Sequence, residues 1–268
     1  YVSEEKRERK AQTLLAQSQS VNAQADAIRA GLQRDTAQAW LDLALSTQAL
    51  NTARTLVAET RRQMAGQKAS VSGGSVPADS VLALQVTLNA MRDRETLAVR
   101  DVRLAQTRLM ELTGQQLDGI SGTLPPYQRL PAEERVIEEG VILHPEVIAA
   151  SREANTARAR SAQSAIAAIP DVDVELYYAR RADGYEDMAG VMFTVDLPLF
   201  QGRRQNKDHA ADVSMTMQAN DRLAQTERTH LTQVRSLIAE YQAAQTLWLR
   251  QRDETLPLQK QRLSLVTR

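Results

Sequence analysis

The chain contains the runs Asp171-Val-Asp-Val-Glu-Leu-Tyr-Tyr178 and Gly190-Val-Met-Phe-Thr-Val-Asp-Leu-Pro-Leu-Phe200, which lie within a sequence that otherwise has the pattern of long helices. In both runs polar and apolar residues alternate over much of the length. An alternation with period two is typical of a β-strand whose two faces meet different surroundings. The stretch from Pro170 to Phe200 therefore predicts a β-hairpin.

The two predicted strands each have an apolar and a polar face. A tilted strand of about ten alternating residues is long enough to cross a bilayer with one face in lipid and the other in a wet lumen. A single hairpin in a protein of long helices therefore predicts a share of a barrel that several copies close. The expected lipid-facing residues are Val174, Leu176, Phe193 and Val195, and the expected lumen-facing residues are Asp173, Glu175 and Asp196.

The three carboxylates of the polar face have two interpretations that the sequence leaves open. They would keep a pore wet and mildly favourable to cations, or they form a merely solvated surface. No nucleophile, oriented histidine or phosphate-binding loop accompanies them, so the pattern predicts no enzyme.

Composition excludes several classes of site. The 268 residues include 33 Lys and Arg against 33 Asp and Glu, so no charge excess favours nucleic acid as a partner. Cysteine is absent, which removes disulfides, thiolate metal sites and cysteine nucleophiles. No apolar run approaches the roughly 20 residues of a transmembrane helix.

Long gaps between Gly and Pro residues leave room for three long helices. Neither residue type occurs between Pro77 and Gly114, and only Pro257 follows Gly202. In the second helix, nine of ten positions on a three-four ladder from Val81 to Leu112 are apolar. This spacing predicts coiled-coil packing.

The first helix is predicted over residues 3 to 69, a length on the order of 100 Å at 1.5 Å per residue. Its apolar residues form two heptad series that are offset by one position, so we expect the supercoil to relax between them. The first series is Leu14, Val21 and Ile28, and the second is Leu43, Leu50, Val57 and Met64.

The predicted organisation is mainly α, with long antiparallel coiled-coil hairpins and one β-hairpin. Residues 1–115 form a helical hairpin with its tip near 72–79, and residues 116–169 form a connector with short collar helices that divide at His144-Pro145. Residues 170–201 form the β-hairpin, and residues 202–268 form a long descending helix that ends before its own tip.

A weak internal repeat supports this layout. An offset of 201 positions superposes Trp40 on Tyr241 and Tyr1 on Gly202. Because Gly202 follows a strand hairpin, the repeat predicts a matching hairpin before Tyr1. By the same offset, a second turn and a returning helix are expected beyond Arg268.

Four motifs resemble the TolC family of outer-membrane efflux channels. Gly74-Ser-Val-Pro77-Ala-Asp-Ser-Val-Leu82-Ala-Leu-Gln85 is similar to its first hairpin tip, Leu109-Met-Glu-Leu112-Thr-Gly114 to the end of its second helix, and His144-Pro145-Glu146 to the opening of an inner helix. Most specific is Asp187-Met188-Ala-Gly190 followed by Val195-Asp196-Leu-Pro198-Leu-Phe200-Gln-Gly202-Arg-Arg204-Gln205. This last segment is most similar to the heavy-metal branch, which serves cobalt-zinc-cadmium and copper-silver exporters.

The resemblance implies a homotrimer in the outer membrane of a Gram-negative bacterium, in which each protomer gives four strands to a twelve-stranded barrel and long helices to a periplasmic tunnel. It further implies a periplasmic adaptor and an inner-membrane efflux pump of the resistance-nodulation-division type as partners, with no cofactor. Adaptor contacts are expected at the tip residues Gly74, Val76 and Pro77, although such residues also suit a simple loop between helices.

The three histidines, His144, His209 and His230, lie far apart in the sequence and show no spacing typical of metal ligands. We therefore expect surface or capping roles and no metal site. The main functional hypothesis is a passive export duct for metal ions or small toxic compounds. The alternative is a periplasmic helical adaptor or scaffold, in which residues 171–200 form an ordinary sheet with its apolar face buried against protein.

Overall fold

The structure is a computed structural model that describes residues 2–74, 77, 79–117, 119–180, 186–195 and 201–266. The described chain is mainly α-helical with one two-stranded antiparallel sheet, as the sequence predicts. Its helices are α1 (Glu4–Ser72), α2 (Asp79–Thr113), α3 (Glu134–Glu139), α4 (Pro145–Ala165), α5 (Gln205–Arg250) and α6 (Leu256–Val266), and its strands are β1 (Val172–Ala179) and β2 (Met188–Val195). Among the described residues, no helix is both long enough and apolar enough to cross a membrane.

The chain divides into two compact units, and α1 contributes residues to both. The strand-bearing unit comprises Tyr1–Ile28 and Gln128–Arg268, and the tip unit comprises Arg29–Tyr127. The division into four segments that the sequence suggests stays a prediction.

The tip unit is an antiparallel pair formed by α1 and α2. Residues farther along α1 contact residues nearer the start of α2, so the two helices run in opposite directions. One buried cluster joins Ala39 and Leu43 to Ala105 and Leu109, and the next joins Leu50 and Ala53 to Ala98. Alanine at these positions lets the two helix backbones approach closely. The buried residues of α2 all lie on the predicted three-four ladder; they are Leu88, Ala98, Ala105 and Leu109.

The first heptad series of α1 is exposed in this chain. Leu14, Val21 and Ile28 are 57%, 56% and 66% exposed, whereas Thr13 and Ser20 are buried at 7% and 6%. The buried face therefore lies one position earlier. The Thr13 hydroxyl donates to the carbonyl of Ala159 in α4 at 3.2 Å, a short approach that small polar side chains permit and leucine does not.

In the strand-bearing unit, α4 packs along α5. The buried residues of α4 are Ala154, which is 0% exposed, and Val147, which is 2% exposed. A salt bridge at its edge joins Arg222 to Glu153 at 2.8 Å. The shorter α3 is held to α5 by Arg235, which donates two hydrogen bonds of 2.9 Å to the carboxylate of Glu138.

The two strands pair from Val172 opposite Val195 to Ala179 opposite Met188. The second strand begins two residues earlier than the predicted run, and the last five residues of that run, 196–200, lie outside the described residues. After the hairpin a short 3₁₀ turn, Gln201–Arg203, precedes α5, and a π-helical segment, Gln251–Thr255, separates α5 from α6.

We predict that Leu43→Ala lowers the free energy of unfolding by about 2–5 kcal/mol, because Leu43 is 2% exposed in the seam and its truncation leaves a cavity. The matched control is Leu45→Ala, two positions along the same helix, where the leucine is 51% exposed. This variant should change the free energy of unfolding by less than about 0.5 kcal/mol. Urea unfolding of both variants, followed by helical circular dichroism, measures the difference. Equal midpoints for the two variants would contradict the packing described for α1 and α2.

We also predict that acid weakens the attachment of α3 to α5. The hydrogen bonds from Arg235 hold the pKa of Glu138 below its ordinary value of 4.5. A carboxyl with a lowered pKa stabilises the folded state above its ordinary pKa, and this contribution is lost as the pH falls through the lowered value.

Melting temperatures measured from pH 7 downward test this expectation. Glu138→Gln should lower the melting temperature at pH 7 and flatten its fall below about pH 4.5. Glu139→Gln is the matched control, because Glu139 pairs with Arg135 within its own helix at 2.9 Å. Identical pH profiles for wild type and Glu138→Gln would show that the pair does not stabilise the fold.

Candidate functional site: the strand hairpin and the helix tip

The register of the hairpin places all four expected lipid-facing residues on one face. Val174 lies opposite Phe193, and Val195 lies opposite Val172. Leu176, two positions beyond Val174, points to the same side because side chains alternate along a strand. These side chains are exposed, with Leu176 at 77% and Phe193 at 68%. The structure therefore presents an uncovered apolar face, the "apolar hairpin face".

The opposite face carries the expected lumen carboxylates. Asp173 lies opposite Thr194, and Glu175 lies opposite Met192. Asp196, the third predicted residue, lies outside the described residues. Toward the turn this face becomes less polar, since it continues with Tyr177 and Met188. The polar character is thus concentrated at the end of the hairpin where the strands join the helices.

Gly190 gives this face a close contact that the strand pattern did not predict. It lies opposite Tyr177, and a Cβ atom at position 190 would collide with the phenol ring of that tyrosine. The ring therefore occupies the space above the glycine. A glycine within a strand pattern is a general signal for such a close approach.

The base of the hairpin is tied to the start of α1. The ammonium of Lys6 donates to the Asp171 carboxylate at 2.8 Å, and the two side chains are only 17% and 29% exposed. This pair connects positions 165 residues apart, so local spacing could not predict it. It fixes the point where β1 leaves the helices.

At the tip, α1 ends in a glycine turn. The amide of Gly74 donates to the carbonyl of Val71 at 3.0 Å, and Gly74 has a φ of +73°. This left-handed conformation favours glycine and is common just after a helix end. Gly74 and Pro77 lie between the end of α1 and the start of α2, and Val76 lies outside the described residues. A contact of these residues with an adaptor stays a prediction.

A hydrogen-bonded latch closes the tip, and it was not predicted. The side-chain amide of Gln67 in α1 donates to the hydroxyl of Ser80 in α2 at 2.9 Å. The same hydroxyl donates to the Pro77 carbonyl at 2.6 Å. Because Ser80 joins both helices and the turn, this "tip latch" of Gln67, Ser80 and Pro77 holds the hairpin end together.

Two of the three histidines lie together in the strand-bearing unit. His144 caps α4, where its Nδ1 accepts the amide hydrogen of Glu146 at 3.3 Å. His230 is only 9% exposed, so the expected surface position is wrong for it. The His230 Nε2 lies 3.0 Å from a carboxylate oxygen of Glu146, and the two imidazole centroids are 4.0 Å apart. His209 lies elsewhere, with its Nδ1 at 3.2 Å from the Ser164 hydroxyl.

No family model and no curated protein sequence matches the chain. Several solved structures share its backbone fold. CusC, described in connection with transmembrane channel formation, aligns with a TM-score of 0.80 and 15% identity over 97% of this chain and 64% of its own. The outer membrane protein VceC from Vibrio cholerae aligns with a TM-score of 0.80 and 16% sequence identity, over 98% of this chain and 64% of its own.

The outer membrane channel CmeC of Campylobacter jejuni gives a TM-score of 0.74 and 12% identity over 97% of this chain and 57% of its own. The chain thus spans less than two thirds of the length of these proteins. Sequence identity is low throughout, so the likeness lies in the three-dimensional arrangement. The chain has the fold that is found in these membrane channel proteins.

Proposed function

We propose that this chain is part of an outer-membrane channel of the TolC kind, a passive duct through which a partner pump exports metal ions or small toxic compounds. The observation that carries the proposal is the apolar hairpin face, which is exposed opposite a face with carboxylates. The shared fold with CusC, VceC and CmeC supports it. The narrower heavy-metal assignment is supported by the motif from Asp187 to Gln205 and by the presence of CusC among the similar structures.

The apolar hairpin face is unfavourable in water and is stabilised when lipid or protein covers it. Each of its large side chains would gain on the order of 1.5–3 kcal/mol from full transfer out of water. Lipid suits this face, because the other face of the same strands carries Asp173 and Glu175 and needs water. The eight described residues of each strand are close to the roughly 9–11 that a tilted transmembrane strand uses.

Two strands alone leave edges with unpaired backbone groups, which lipid does not tolerate. Pairing with further strands closes these edges, and a ring of copies achieves it without exposing any edge. We therefore propose the homotrimer that the resemblance implies, in the outer membrane and with the helices in the periplasm. The proposed partners are a periplasmic adaptor and an inner-membrane pump of the resistance-nodulation-division type.

The proposed mechanism requires no chemistry from this chain. Asp173 and Glu175 line the wall with fixed negative charge, which keeps it hydrated and mildly favours cations. Energy comes from the pump, and the duct opens when the partner proteins engage the helix tips. Opening in this way requires the tip latch at Ser80 to remain with its own hairpin, so that α1 and α2 move as one body.

Cysteine labelling of two adjacent positions tests the duct against the scaffold alternative. The 268 residues contain no cysteine, so Glu175→Cys and Leu176→Cys each add one thiol to them, on opposite faces of β1, and the unsubstituted protein gives the background labelling. The intact protein should fractionate with outer membranes, where a water-soluble maleimide should label position 175 and spare position 176. Denatured samples of both variants should label equally, which controls for reactivity.

Equal labelling of both thiols in the folded protein, or recovery of the protein in the soluble fraction, would defeat the duct proposal. Protection of position 176 in a soluble protein would instead favour the scaffold, in which another protein covers the apolar hairpin face.

The tip proposal has its own test. A photo-activatable amino acid in place of Pro77, which is exposed, should cross-link in living cells to a periplasmic adaptor. Thr87, also exposed but two turns into α2, is the control position and should give no such product. The cross-link should disappear in a strain that lacks the adaptor. Equal products at both positions would indicate chance collision and would remove the support for a docking tip.

A further inference from the structure

We propose that His144, Glu146 and His230 form a binding site for one resident Zn²⁺ ion. One ligand atom from each of these residues lies within 4.8 Å of the other two. The inference goes beyond the export function and does not depend on it, because the site belongs to the strand-bearing unit and would hold an ion whether or not the chain forms a duct.

The donor set fits zinc. Two imidazoles and one carboxylate are ligands that Zn²⁺ takes at about 2.0–2.2 Å, commonly with water in the fourth position. Calcium and magnesium prefer sites made of oxygen atoms alone. The three ligands come from two elements, with His144 and Glu146 at the start of α4 and His230 in α5. A bound ion would therefore fasten the first turn of α4 to the long helix.

The geometry needs little adjustment. In a tetrahedral site with these bond lengths, neighbouring ligand atoms are about 3.3 Å apart. The His230 Nε2 and the Glu146 oxygen are already 3.0 Å apart. The His144 nitrogen starts from a separation of at most 4.8 Å and must move inward by about 1.5 Å or less.

The surroundings of the three residues hold one ligand rigidly and leave another open to solvent. His230 is nearly buried, so α5 holds its ring in place, while the side chain of Glu146 is 46% exposed and gives an ion a route from solvent. Ligation through the His144 Nε2 would leave its capping hydrogen bond to the Glu146 amide in place, whereas ligation through Nδ1 would break it. That bond is long, at 3.3 Å, so its loss opposes metal binding only weakly.

The alternative is that these three residues form a hydrogen-bonded capping cluster that holds no ion. In that case none of the following measurements should detect bound metal. The test uses the intact protein in detergent, without a histidine tag and stripped of metal with a chelator. Equilibrium dialysis with Zn²⁺ should give one bound ion per chain, and Zn²⁺ should raise the melting temperature. Substitution by Co²⁺ should produce the visible absorption bands of a tetrahedral ion.

Three variants locate the site. His144→Asn removes the imidazole but keeps a side chain that caps a helix well, so the metal-free melting temperature should stay near that of wild type. Glu146→Gln removes the carboxylate charge. Both variants should bind Zn²⁺ at least about tenfold more weakly and lose the thermal shift. His209→Asn, at the histidine outside the cluster, should behave as wild type.

Binding of less than one Zn²⁺ per chain, wild-type affinity in His144→Asn and Glu146→Gln, or an equal loss in His209→Asn would each overturn the site. A failure of the labelling test at positions 175 and 176 would leave this result unchanged. The two proposals therefore fail separately.

Discussion

Strand register is the constraint on which the rest of the structure depends. Val174 opposite Phe193 and Asp173 opposite Thr194 give the hairpin one apolar and one partly charged face. A slip of one residue would exchange the faces and place carboxylates where the apolar side chains now lie. The Lys6–Asp171 salt bridge fixes the start of β1 against the first turn of α1. The ion pair positions β1 on the helices, and the pairing of β1 with β2 then assigns each side chain to a face.

The helical parts are held together by narrow seams in which alanine alternates with larger aliphatic side chains. Among the described residues, the buried hydrophobic positions are shared about equally between alanines, such as Ala39, Ala98, Ala105 and Ala154, and larger side chains, such as Leu43, Leu88 and Leu109. An alanine in such a seam lets the two helix backbones approach closely, and the leucine beside it supplies most of the buried apolar area. Along α1 the buried face changes from Thr13 and Ser20 in the strand-bearing unit to Leu43 and Leu50 in the tip unit.

Features with a short repeat could be predicted from the sequence, and features that join distant segments could not. The ladder of α2, the hairpin and the cap at His144 follow from local periodicity and local chemistry. The approach of His230 to Glu146 spans 84 positions and depends on how α4 packs on α5, which spacing does not encode. The heptad of Leu14, Val21 and Ile28 indicates an apolar stripe on α1, but it does not specify which element packs against that stripe. Within this chain, α4 contacts the neighbouring face of α1 at Thr13.

Tyr177 has a consequence for the width of any enclosed passage. Its ring lies over Gly190 and is 43% exposed on the face that carries the carboxylates. The missing side chain at position 190 leaves room for this ring to lie close against β2. A larger residue there would push the phenol away from the sheet, and in the proposed ring of copies it would narrow the enclosed space.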